Sequence, residues 1–298
     1  RSYPSLNSIR SVKIYTVTRN SSNSIDGYKN FNSIKKAKIY FKKKDVIYII
    51  STPPNIHYKN FLELAENNTK IFIEKPISTS TYQIKKIIQI SNQRKIFISE
   101  IFPYTLSKSF NFFKNYFLKN KKNINLIKIN FLIPSFPNKS FRRSKLITNS
   151  SLYDIGCYPV SLLINLGFKL NKYKIFHHNP KDPLKSFFKI NVFEDNIKIK
   201  IKIGINKKYQ NDIILSQGKF KKTLFNYFFY SMPVEKQILY FHNNIKKNAI
   251  YIKEKNLFTK FFKNGFIQKN NSQILNLHNS FLITKKLEEM SLNLINKM

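Results

Sequence analysis

Residues 45–76 read DVIYIISTPPNIHYKNFLELAENNTKIFIEKP. The stretch opens on a continuous apolar run, DVIYIIST (45–52), the composition of a strand buried on both faces. Over 55–68 the apolar residues Ile56, Phe61, Leu62 and Ala65 fall at helical spacing. A second apolar run, KIFIE (70–74), follows and leads into Lys75 and Pro76. Strand, helix, strand, with both strands apolar throughout, predicts a parallel βαβ unit.

The pattern extends both ways. SVKIYTVT (11–18) reads as an earlier strand, STYQIKKIIQISNQ (80–93) as a helix and KIFISE (95–100) as a further strand. The order predicts a doubly wound parallel sheet, and such sheets bind ligands outside the carboxyl ends of their strands. STPPN (51–55) and EKP (74–76) both sit at such ends. A dinucleotide-binding half ordinarily opens on a glycine-rich loop. The six glycines are scattered and form no GxGxxG. RSYPSLNSIR (1–10) reads as the tail of the first helix, which places the first strand and its loop, about 15–20 residues, upstream of Arg1.

The second half has another rhythm. Residues 123–136, 186–205, 211–230 and 234–242 are β-rich, and IKIKIKI (197–203) alternates strictly. Such alternation predicts a mostly antiparallel sheet with one wet face. LYDIGCYPVSLLINLGF (152–168) reads as a helix between the strands, FNYFFY (225–230) as a sheet face, and 272–298 as closing helix. The expected fold is therefore α/β. A Rossmann-type parallel-sheet domain (1–103) precedes an α/β domain with an open, mostly antiparallel sheet and a C-terminal helix (104–298).

Composition narrows the function. With 42% hydrophobic and 15% aromatic residues the 298-residue chain can build a core. It holds no apolar run of membrane-spanning length. The formal charge is +38, yet only six of the 53 basic residues are arginines, and the lysines are spread along the whole chain. Specific base and phosphate readout favours clustered arginine, so no specific nucleic-acid partner is expected. Non-sequence-specific attraction to polyanions follows from the charge alone. The lone Cys157 excludes an intrachain disulfide and a cysteine zinc site, and suits a reducing cytoplasm. The five histidines lack metal-ligand spacing, so no metal is expected.

Three stretches in order, DVIYIISTPPNIH (45–57), IFIEKPIS (71–78) and SLYDIGCYPVSLL (151–163), resemble the glucose-fructose oxidoreductase / inositol dehydrogenase / rhizopine catabolism (Gfo/Idh/MocA) family. The resemblance follows the element order of nearly the whole chain. It implies an NAD(P)-dependent oxidoreductase that moves a hydride between nicotinamide and a carbinol or carbonyl of a sugar, sugar derivative or polyol. The family's EKP lysine falls on Lys75, its motif aspartate on Asp154, and the motif's final residue, commonly histidine, on Tyr158. These are the expected catalytic residues, with Asp154 and Tyr158 one helical turn apart. Either Tyr158 or Lys75 would carry the proton: a phenol is a poor base at neutral pH, and a neighbouring ammonium favours the phenolate.

By the same resemblance Ser51, Thr52, Pro53, Asn55, His57, Glu74, Lys75 and Pro76 line the cofactor, and the Lys75–Pro76 bond is a candidate cis peptide. Thr18 and Arg19 end the second strand of the expected fold. No acid follows until Asp26, so NADP(H) is expected over NAD(H). Arg142 and Arg143 are candidate substrate contacts beside Lys75, Asp154 and Tyr158. Members commonly associate through the open sheet face, implying a homodimer or homotetramer. The alternative is a non-catalytic relative that binds a ligand or partner. It is suggested by TNSS (148–151), where the family usually carries glycines.

Overall fold

The computed structural model describes residues 6, 9, 13–18, 28–42, 46–135, 146–178, 187–267 and 273–295. Arg19, Arg142 and Arg143 lie outside the described residues.

The amino-terminal part is a set of parallel strands. β1 (Thr16–Val17) pairs with β2 (Asn30–Phe31), followed by helix α1 (Ile34–Phe41). A three-stranded parallel sheet runs in the order β3 (Ile47–Ile50), β4 (Lys70–Glu74), β5 (Phe97–Ile101). Helices α2 (His57–Leu64) and α3 (Thr81–Gln93) form its crossovers. β4 is covered on both faces. Ile71 and Ile73 join a core with Phe61, Ile84 and Ile87, while Phe72 points the other way, to Phe258 and Phe262. Burial on both faces is why the run carries no alternation.

Helix α4 (Lys108–Asn120) leads into β6 (Ile124–Leu132). Then come the short helix α5 (Ser151–Asp154) and α6 (Cys157–Asn165). Residues 152–168 are thus two helices, broken at Ile155–Gly156, where one was expected. The break leaves no room for a side chain: a Cβ on Gly156 would lie 2.3 Å from the Leu152 carbonyl oxygen and 2.7 Å from Ile203 Cδ1.

The strands that follow are β7 (Tyr173–His178), β8 (Phe187–Glu194), β9 (Ile197–Gly204), β10 (Gln210–Gln217), β11 (Lys221–Asn226), β12 (Val234–His242) and β13 (Ile245–Glu254). With β6 they form one eight-stranded sheet, ordered β13-β12-β11-β10-β6-β9-β8-β7. Only β6–β9 is parallel; the other six pairings are antiparallel. The stretch 186–205 becomes a hairpin, turned by Asp195 and Asn196, both left-handed (φ 53° and 61°). FNYFFY is not a sheet face. β11 stops at Asn226, Tyr227 is left-handed (φ 53°), and Phe228 and Phe229 turn into the core.

β8 and β9 alternate buried and exposed residues, so one sheet face packs on α4, α5 and α6 while the other meets water. Helices α7 (Leu257–Ile267) and α8 (Gln273–Ile295) return to the amino-terminal sheet. α8 packs on α3 and β5 as well as on α6 and β7, so it spans both parts. Among the described residues no helix is long and apolar enough to cross a membrane.

Candidate active site

The apolar strand β4 delivers Lys75 to its carboxyl end, and the Lys75–Pro76 bond is cis. From the second part, α5 ends on Asp154, and Tyr158 lies in the first turn of α6. Here the two parts meet through a buried ion pair. The Lys75 ammonium donates to Asp154 Oδ1 at 2.9 Å and also to the Asp154 carbonyl oxygen. Its nitrogen lies 5.0 Å from the centre of the Tyr158 ring, within cation–π range. The side chains of Lys75 and Asp154 are 12% and 6% exposed, so the pair is nearly dry.

Electrostatics follow from that burial. Desolvation alone would lower the Lys75 pKa. The Asp154 carboxylate outweighs it, with Tyr158 and Cys157 acting in the same direction, and the amine is held above its ordinary range. Lys75 is therefore a fixed cation. Tyr158 sits in an aromatic box, its ring 5.3–5.8 Å from those of Phe131, Phe102, Phe229 and Tyr104. Cys157 is buried, its thiol against the Asp154 carbonyl at 3.5 Å, and burial, foremost, pushes its pKa up.

The STPPN segment forms the neighbouring wall. Ser51 and Asn55 are exposed, Thr52 and Pro53 half-buried. The turn Pro54–Ile56 packs against the turn Ile147–Asn149 just before α5. His57 lies behind the STPPN and EKP loops. It is wholly buried, with Nε2 2.7 Å from the Thr52 carbonyl and Nδ1 3.0 Å from the Pro76 carbonyl. It thereby ties the two loops together. Burial, foremost, lowers its pKa against the pull of those carbonyls, and the Lys75 charge adds to the lowering. The neutral ring donates to one carbonyl at a time. Pro76 is buried as well, Glu74 is half-buried, and Thr18 closes β1 with its N–H on the Phe31 carbonyl.

Sequence reasoning missed Glu100. This buried carboxylate, at the end of β5, accepts the Ile77 N–H on Oε1 and the Ser280 hydroxyl on Oε2. It thereby joins the residue after EKP to α8. Burial pushes its pKa up to about 7, against Ser280, Ile77 and Lys75, which pull it down. Its place at a strand's carboxyl end was the available signal. α8 makes two further links: Glu288 accepts the N–H of Thr81 at the start of α3 at 2.8 Å, and Thr284 donates to the Ser78 carbonyl.

Residues 7–101 match the family model described as "Oxidoreductase family, NAD-binding Rossmann fold". No curated protein matches the chain. Among solved structures, the chain is similar to KijD10, a 3-ketoreductase from Actinomadura kijaniata solved with NADP and TDP-benzene. The TM-score is 0.80 at 14% identity, over 97% of this chain and 91% of that one. It is also similar to an aldose-aldose oxidoreductase from Caulobacter crescentus solved with glycerol. There the TM-score is 0.74 at 11% identity, over 93% and 88% of the two chains. At these identities the likeness is one of fold. The family match lies over the strands that carry STPPN and EKP, and the fold likeness extends to the part whose helices carry Asp154 and Tyr158. Residues 7–101 thus match the NAD-binding Rossmann fold of an oxidoreductase family, and over the whole chain the likeness to solved oxidoreductases is one of fold.

Proposed function

We propose that the chain is a dehydrogenase or reductase acting on a carbinol or carbonyl of a sugar, sugar derivative or polyol, with NADP(H) preferred over NAD(H). The observation that carries this reading is the Lys75–Asp154 contact, which sets a dry, fixed cation beside Tyr158. A non-catalytic relative has no need of such a constellation.

The residues present fit a nicotinamide dinucleotide. Ser51, Thr52, Pro53, Asn55 and Glu74 stay accessible at the carboxyl ends of β3 and β4, where this fold takes its ligands. Those residues and Lys75 would hold the cofactor, which supplies or accepts the hydride when bound. Two of the three Lys75 protons are taken by Asp154. The third has no acceptor among the described residues and is free for a substrate oxygen, whose developing negative charge the ammonium stabilises. An amine held so firmly cationic is a poor base, so we assign proton transfer to the Tyr158 hydroxyl, with Asp154 positioning Lys75. Arg19 would face the 2′-phosphate of NADP, and Arg142 and Arg143 a charged group on the substrate. KijD10 was solved with NADP and a TDP-linked ligand, which supports the cofactor and sugar readings.

We extend the reading to two domains, 1–103 and 104–298, and to a homodimer or homotetramer. The apolar end of the open sheet face suits self-association, with Ile214, Leu224, Leu239 and Ala249 in one cross-strand row. The single buried Cys157 supports a reducing cytoplasm. The test is a panel of sugars, nucleotide sugars and polyols with NADPH, NADP, NADH and NAD, followed at the nicotinamide absorbance. Turnover with a sugar or polyol that is lost in Tyr158→Phe is expected. Cofactor binding without turnover across the panel would favour the ligand-binding alternative.

A further inference from the structure

The water-facing side of the large sheet is divided. Six exposed lysines, Lys128, Lys174, Lys189, Lys198, Lys200 and Lys202, gather on the β7-β8-β9-β6 half. Strand geometry packs them tightly: alternate residues lie about 6.8 Å apart along a strand and neighbouring strands about 4.8 Å apart. Lys189 stands directly opposite Lys202, and Lys128 opposite Lys200. Like charges opposed across strands cost stability. Among the described residues none of the six is ion-paired. The neighbouring acid, Asp212 on the adjoining strand β10, is buried, accepts the Asn130 amide at 2.7 Å and lies within electrostatic reach of Lys202 alone among the six.

Two large aromatics share the patch. Phe176 is 48% and Phe193 62% exposed. Each stands directly across from a lysine, Phe176 from Lys189 and Phe193 from Lys198. Exposed phenyl rings set among unpaired cations on an open sheet are the two elements that grip a single strand: ammonium groups for the backbone, ring faces for the bases.

We propose that this half of the sheet face binds single-stranded nucleic acid without sequence preference. The lysines carry no planar fork for reading base edges, so the contact is electrostatic plus stacking. A second copy of the chain is the poorer occupant, because stacking on this half would bury several ammonium groups without acids to meet them. A bilayer is poorer too. Four strands, each rotated by about 20–25° against the next, carry the two phenyl rings out of any common plane. The opposite side of the same strands packs on α5 and α6 beneath the Lys75–Asp154 site, so occupancy of this face leaves that site open.

The experiment uses the full chain and a fluorescein-labelled 20-residue oligothymidylate, read by anisotropy over a salt series. The triple variant K198E/K200E/K202E is expected to weaken binding at least 30-fold and to flatten the salt dependence by about two logarithmic units per decade. A control of equal charge change, K35E/K85E/K114E, is expected to weaken it less than threefold. Phe193→Ala should lose about tenfold with the salt slope unchanged. If the glutamate triple melts early, K198Q/K200Q/K202Q replaces it, with the same slope change and a smaller loss of affinity expected. Equal losses in the face and control triples would overturn the proposal in favour of net charge alone. So would an unaltered affinity in Phe193→Ala and Phe176→Ala. Equal affinity for polyglutamate or for phosphatidylserine vesicles would also overturn it, in favour of an acidic protein or a membrane.

Discussion

The Lys75 ammonium grips Asp154 twice, through the carboxylate Oδ1 at 2.9 Å and through the same residue's carbonyl oxygen. One side chain thus reads both the identity and the backbone position of its partner, 79 residues away in the chain. The contact holds the end of α5 against the EKP turn, and with it the approach of Tyr158.

Breaking this pair is expected to cost both stability and turnover. Asp154→Asn leaves a nearly dry cation without its counter-charge, a loss of about 3–5 kcal/mol in urea unfolding. Tyr158→Phe keeps the aromatic box and is expected to leave stability within about 1 kcal/mol. It should lower kcat about 100-fold or more. Wild-type rates in Tyr158→Phe would remove the proton transfer assigned to it.

Glu100 gives the fold a pH dependence of definite sign. Its carboxyl titrates near 7 in the folded chain and near about 4.3 when unfolded. Across that window the folded state holds a proton the unfolded state has lost, so stability falls as the pH rises and the loss is complete above about 7. Unfolding free energies measured from pH 4.5 to 7.5 should show this fall in the wild type and a flatter curve in Glu100→Gln. Equal slopes in the two proteins would contradict the assignment.

Gly156→Ala is expected to destabilise by about 1–3 kcal/mol through overpacking. The new methyl would meet the Leu152 carbonyl and the Ile203 side chain. Because the displaced segment lies between Asp154 and Tyr158, turnover should fall by more than the folded fraction does. A variant that is stable and fully active would show that the break between α5 and α6 tolerates a side chain.

The proposed preference for NADP(H) rests on Arg19. Arg19→Asp should move the kcat/KM ratio toward NADH over NADPH by about tenfold or more, since a 2′-phosphate would then face a carboxylate. An unchanged ratio would remove Arg19 from the cofactor site.

Much of this was legible because some signals are local. KIFIE reads as a strand since β4 is buried on both faces, and IKIKIKI reads as half-wet since β9 is. Other features depend on partners far away in the chain. The crowding at Gly156, where the helix breaks, comes in part from Ile203 of β9, which no reading of residues 152–168 contains. FNYFFY has the composition of a strand, yet Tyr227 turns left-handed and sends Phe228 and Phe229 inward. β13 escaped notice because it is an edge strand whose first four residues, IKKN, are exposed, as protected edges tend to be. α1 and α4 were missed, their apolar positions interrupted by lysines and asparagines. In the site, Lys75, Asp154 and Tyr158 were reachable only through the resemblance, since nothing in their spacing says that they meet. Glu100 was passed over as the last residue of a strand.

The bond from Ser280 to Glu100 links residues 180 positions apart. During synthesis the parallel sheet leaves the ribosome long before α8 exists. Glu100 then faces water, and the EKP turn lacks its backing. The backing of the EKP turn is therefore complete only once α8, far along the chain, has been made and has packed against the sheet.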